Sequence, residues 1–170
     1  MRAGDLARFA VIGLGTLTGP LDSAVNIAFP DITRAFAMPI QSIQWVVISY
    51  VLTYASLMLI FGRLGDLFGY RRIFQTGLAI SAVAFGLCAT ASQYEWLLVF
   101  RVVQGVGAAM VISCGPALVT GLFDEAARPR VLGAYVAVFG IGAAIGPSLG
   151  GVLVAQWGWP AVYWFRVPLA

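Results

Sequence analysis

Charge is what this sequence has least of. Only 10% of its 170 residues are Asp, Glu, Lys or Arg, while 61% are hydrophobic; a soluble domain carries about a quarter charged residues. Histidine is missing altogether, which removes the commonest general base, most zinc sites and the usual pH switch. Lysine is missing too, so all ten basic residues are arginine. Two cysteines, Cys88 and Cys114, match no paired-cysteine metal or redox spacing. They read as small apolar packing residues. These shortages exclude a soluble enzyme, a nucleic-acid binder and a secreted disulfide scaffold.

What the chain has instead is long uncharged runs. Residues 35–62, 73–94, 102–123 and 131–165 contain no charged side chain, giving lengths of 28, 22, 22 and 35. Each meets the roughly 20 residues that an α-helix needs to cross a ~30 Å hydrocarbon core. A fifth run, Phe9 to Pro30, is broken only by Asp22. The expectation is an all-α polytopic membrane protein. Its helices should lie at about 9–29, 44–61, 73–92, 97–122 and 131–155, and a sixth should begin near 161. Pro30 should end the first helix, and Gly19–Pro20 should kink it. The first span is too long for a signal peptide and has no small-residue cleavage site followed by a soluble domain.

Arginine placement sets the orientation. With a cytoplasmic N-terminus, Arg2, Arg8, Arg63, Arg71, Arg72, Arg128 and Arg130 lie inside, and Arg34 and Arg166 lie outside. Seven against two satisfies the positive-inside rule. Trp45, Trp96, Trp157 and Trp159, with Tyr94, stand where interfacial rings belong.

Two charges fall within the expected spans, and intramembrane ionisable residues are functional candidates by default. Asp22 lies about seven residues from the outer end of helix one, roughly 10 Å deep, and Arg101 about five residues into helix four, roughly 8 Å deep. Being of opposite sign and similar depth, they are expected to approach one another. A pair that forms and breaks would let proton binding favour one conformation over another. Thr18, Asp22 and Asn26 are four apart and should line one helix face as the wall of a water-accessible pathway. Asp22 with Asn26 and Arg101 with Gln104 form a faint echo between helices one and four, as inverted repeats would require.

Glycine is the other signal. Gly140, Gly142 and Gly146 approach a dinucleotide-binding fingerprint, but they sit in a 35-residue uncharged run with no ribose-binding acid. Gly142, Gly146 and Gly150 instead offer a smooth face for close helix approach, with Pro147 and Gly151 adding a bend. The glycine-rich basic segment 62–72, GRLGDLFGYRR, suggests a tight turn held by charge pairs around Asp66. An enzyme is disfavoured, since there is no nucleophile–base pair, metal cluster or credible cofactor loop.

Together these segments resemble the major facilitator superfamily, in its fourteen-span drug:proton antiporter branch. Gly62, Asp66, Gly69, Arg71 and Arg72 lie in a loop similar to the signature G-x-L-x-D-x-x-G-x-[RK], with Leu67 and Tyr70 replacing frequent basic residues. RVVQGVGAA, Arg101 to Ala109, matches R-x-x-Q-G-x-G-x-A, a motif linked in the family to proton coupling. Gly133, Gly142, Gly146, Pro147, Gly150 and Gly151 match the antiporter pattern G-x8-G-x3-G-P-x2-G-G. LDSAVNIAFP is similar to L-D-x-T-x-x-N-x-A-x-P but lacks one residue between acid and amide, shifting Asp22 by about 100° relative to Asn26. Arg166 stands where Asn is usual.

The resemblance implies a major-facilitator-type helical bundle, of which 1–170 is the partial N-terminal six-helix portion. It implies alternating access against the missing C-terminal helices and proton-coupled efflux of drug-like hydrophobic or amphipathic compounds across the cell membrane. Asp22, Asn26, Arg101 and Gln104 would serve the proton and substrate pathway. The proton gradient supplies the energy, with no cofactor, metal or nucleic acid; the partners are substrate, protons and lipid. The alternative is a truncated, non-transporting membrane fragment.

Overall fold

The computed structural model describes residues 3–170, with side chains from Arg8 onward, so Arg2 lies outside the described residues. Secondary structure among the described residues is entirely helical. Four helical stretches are long and apolar enough to cross a membrane: Ile40–Phe68, Tyr70–Ala89, Tyr94–Thr120 and Glu125–Trp157.

The first span departs from expectation. It is built from α1 (Ala3–Leu17), a 3-10 turn (Pro20–Asp22), α2 (Ser23–Ile27) and α3 (Phe29–Ala35). Pro20 has no N–H to donate, and the chain tightens there into a turn closed by the Asp22 amide on the Gly19 carbonyl at 3.0 Å. Pro30 does not end the helical path. It occupies the first turn of α3, where a missing N–H is tolerated. α3 stops instead in a paired C-cap, with Ala37 N–H on Arg34 O and Met38 N–H on Thr33 O. This motif places Ala37 at φ 48°, in the left-handed region.

The second span, α4 (Gln44–Phe68), runs seven residues past its expected end, so most of the glycine-rich segment is helix. Only Gly69, at φ 93°, separates it from α5 (Tyr70–Ala89). That backbone angle favours glycine, which has no Cβ to clash. α6 (Tyr94–Thr120) and α7 (Arg128–Trp157) follow, each starting about three residues before its expected boundary. α7 continues through Pro147 without interruption. α8 (Ala161–Trp164) and a 3-10 turn (Val167–Leu169) close the chain.

α6 is the spine, packed along both α4 and α5. The motif glycines on α6 explain the closeness. A Cβ on Gly105 would sit 2.9 Å from Tyr50 O of α4, and one on Gly107 would sit 2.8 Å from Gly77 O of α5. The main core gathers Ala24, Val25, Ile32, Val46, Phe85, Leu97, Val162 and Tyr163 at one end. Phe74, Val111 and Cys114 form a smaller cluster. Large apolar side chains such as Leu52, Leu59, Val136 and Ile141 point outward, as the lipid-facing side of a membrane bundle requires.

A buried carboxylate between two arginines

The break at Pro20 presents the carboxylate of Asp22 to two other parts of the chain. From α6, Arg101 Nη1 and Nη2 donate to Oδ1 and Oδ2, each at 2.7 Å. This two-pronged pairing suits the flat guanidinium fork. Gln104, one turn on, donates to Oδ1 at 3.1 Å and accepts from Arg101 Nη1 at 2.7 Å. From the end of the chain, Arg166 Nη1 donates to Oδ1 at 2.6 Å. One carboxylate therefore receives four donors, three on Oδ1 and one on Oδ2. Asp22 keeps 12% of its side-chain exposure, while both arginines have none.

Each arginine is also fixed by its own surroundings. Arg101 Nε donates to Val46 O at 2.7 Å, a backbone carbonyl brought within reach because Gly105 lets α4 approach. The Arg101 guanidinium carbon lies 4.3 Å from the Tyr50 ring centre. Arg166 Nε donates to Val162 O at 2.9 Å, and its guanidinium carbon lies 4.6 Å from the Phe85 ring. Such aromatic faces stabilise a cation that has been taken out of water.

The glycine stripe of α7 holds the broken segment in place. A Cβ on Gly142 would come within 2.9 Å of Leu17 and Pro20, and one on Gly150 within 2.9 Å of Ala24. One on Gly146 would collide with Ser23 Oγ. Ser23 donates across the interface to Ala143 O at 3.2 Å. The backbone on both sides of Asp22 therefore lies directly on α7. Gly133 and Gly151 have no atoms within 4 Å of an added Cβ and take no part in this contact.

The structure thus joins Asp22, Arg101 and Gln104, and adds Arg166. It does not join Asn26, which is exposed and makes no side-chain hydrogen bond among the described residues. Thr18 is buried and donates to Gly15 O at 2.7 Å. The three residues spaced by four do not form one continuous polar wall, because the 3-10 turn at Pro20 interrupts the helix between them. The charge-pair turn expected around Asp66 is also revised. Asp66 accepts from the Tyr70 hydroxyl, and no arginine side chain among the described residues lies within 4 Å of it. Arg71 and Arg72 are exposed. Arg166 was legible in the sequence only as an outer-side charge that stands where Asn is usual.

A small cavity of about 10 Å3 adjoins the cluster, lined by Thr18, Tyr50, Phe85, Gln104, Ala108 and Val111 among others. That is about the space of one water.

Comparison with known proteins agrees with this architecture. The family model described as Major Facilitator Superfamily matches residues 11–170. The methylenomycin A resistance protein of Bacillus subtilis (strain 168) is 38% identical over 161 residues, covering 94% of this chain and 34% of that protein. The multidrug resistance protein Stp of Mycobacterium tuberculosis (strain ATCC 25618 / H37Rv) is 37% identical over 171 residues, 99% of this chain and 32% of its own. The riboflavin transporter RibZ of Clostridioides difficile (strain 630) is 33% identical over 160 residues, 94% and 35% respectively. The chain spans about a third of the length of these relatives.

Proposed function

The chain belongs to the Major Facilitator Superfamily, and on that footing we propose that it is the N-terminal portion of a proton-coupled exporter of small hydrophobic or amphipathic compounds. The observation that carries this reading is the buried Asp22, held by Arg101 and Gln104 at the break in the first span. A carboxylate at membrane depth is expensive to place there and serves as a proton or cation site where such residues have been kept. The relatives' names add support from a different direction, since one is named for resistance to methylenomycin A and another for multidrug resistance, which export would confer.

In this reading the segment 3–35 is a fifth crossing, interrupted but membrane-spanning, and Ala161 begins a sixth. The whole forms most of one six-helix bundle that rocks against a second. The protein lies in the cell membrane with its N-terminus in the cytoplasm, and the segment around Asp66 braces the cytoplasmic side. Proton arrival on Asp22 loosens its grip on the arginines, and the bundle then favours its other orientation. The α7 glycine stripe transmits that change, because the Asp22 backbone rests directly on it.

The test is dye efflux from energised vesicles containing the protein in its full natural length. Asp22→Asn is expected to abolish efflux against a gradient while leaving downhill exit of the dye, which reports a folded carrier. Proton-driven efflux at the unmodified rate in that variant would overturn the assignment.

A further inference from the structure

We propose that a compound bearing a single negative group, a carboxylate above all, binds the Asp22 cluster, whose described residues bring two positive charges to one carboxylate. This inference rests on the exporter reading above and names the substrate class that its central site favours. Arginine is always charged in a protein, so Arg101 and Arg166 bring two positive charges to one carboxylate. Protonating Asp22 only enlarges the excess. The described acids outside the cluster do not restore the balance. Asp31 pairs with Arg34 and Glu125 with Arg128, and no carboxylate among the described residues other than Asp22 lies within 4 Å of either buried guanidinium.

The geometry also shows where the missing group would dock. Arg166 Nε is tied to Val162 O and Nη1 to Asp22, but Nη2 is buried with no hydrogen-bond partner. The Tyr163 hydroxyl is buried and unpartnered as well, on a ring whose centre lies 5.3 Å from the Arg166 guanidinium carbon. Neither group reaches Asp22, whose four donors are Arg101 Nη1 and Nη2, Gln104 Nε2 and Arg166 Nη1. Phe85, Tyr163 and Phe165 surround Arg166, so the unmatched charge sits among apolar rings, where an uncompensated ion is strongly unfavourable. A monoanion relieves it, a neutral compound leaves it unchanged, and a cation is repelled. The adjoining cavity, bounded by Tyr50, Phe85 and Gln104 but not by Arg166 or Tyr163, holds about one water in this conformation. A carboxylate on a larger body therefore enters when the bundle opens to one side.

The experiment measures thermal protection of the purified full-length protein in chloride-free buffer by four probes: benzoate, its neutral isostere benzamide, the cation benzamidinium, and chloride. Benzoate is expected to raise the melting temperature while benzamide and benzamidinium do not. No protection by any of the four probes means that other residues of the full-length protein match the arginines, and overturns the proposal. Protection by chloride with no further gain from benzoate assigns the site to a small free anion instead of a carboxylate substrate and overturns the substrate class. Equal protection by benzamide overturns the proposal outright, and this comparison needs no variant. Arg166→Gln leaves a balanced Asp22–Arg101 pair and should weaken benzoate binding at least tenfold, about 1.4 kcal/mol; unchanged binding also overturns it. Benzoate bound but never exported leaves the anion site standing and removes the exporter reading. Export of neutral or cationic dyes without benzoate binding does the reverse.

Discussion

At the level of single residues, the stability of this bundle turns on how few polar groups it buries and how completely most of them are matched. Arg101 makes four hydrogen bonds through three nitrogens to three partners. Arg101→Lys keeps the charge but replaces the flat fork with a compact ammonium of three donors. The variant should lose at least two charge-assisted bonds and about 2–4 kcal/mol of stability, read as a lower unfolding midpoint, and its efflux should fall with it. Ala37 provides a contrasting case with no functional content. It holds a left-handed conformation at φ 48° in the cap of α3, so Ala37→Gly should stabilise the protein by up to about 1 kcal/mol. A fall in melting temperature in that variant would show that the cap does not set the local balance. Asp22 and Arg101 were visible in the sequence because charge is so scarce that each exception stands out. Arg166 was not, because its importance depends on a contact 144 residues away, and nothing in its immediate neighbours signals that.

At the level of helices, the glycines divide into those that meet another backbone and those that do not. Gly107→Val should weaken the α5–α6 contact by about 1–3 kcal/mol, the usual scale of overpacking, because its Cβ would lie 2.8 Å from Gly77 O. Gly146→Val should be comparably harmful and should also reduce efflux, since it pushes on Ser23 beside Asp22. Gly151→Ala, with no atom within 4 Å, should leave the melting temperature unchanged or slightly raised. Comparing the three melting curves tests whether packing or motif membership governs the cost. The sequence pattern gives four spans within a few residues, because charge-free length is a coarse property that the bilayer enforces. It misplaces the end of α4, since a glycine-rich basic stretch reads as a loop although only Gly69 breaks the helix. It places a kink at Gly19–Pro20 but not its form, a 3-10 turn packed against α7.

At the level of the whole molecule, the two cysteines report on integrity. Cys88 and Cys114 are buried in separate apolar clusters. Neither should react with a membrane-permeant maleimide in native vesicles, and both should react after denaturation in detergent. Rapid labelling of Cys88 in the native state would mean that the core around Phe85 and Tyr163 opens readily. The cluster on Asp22 also ties together segments made at very different moments. Arg101 is added 79 residues after Asp22, and Arg166 another 65 after that, 144 in all. On the proposed topology, the first segment therefore enters the bilayer with an acid that stays unmatched through two more crossings, until α6 brings its first cation. On that topology the cluster closes in two steps, in the order of translation.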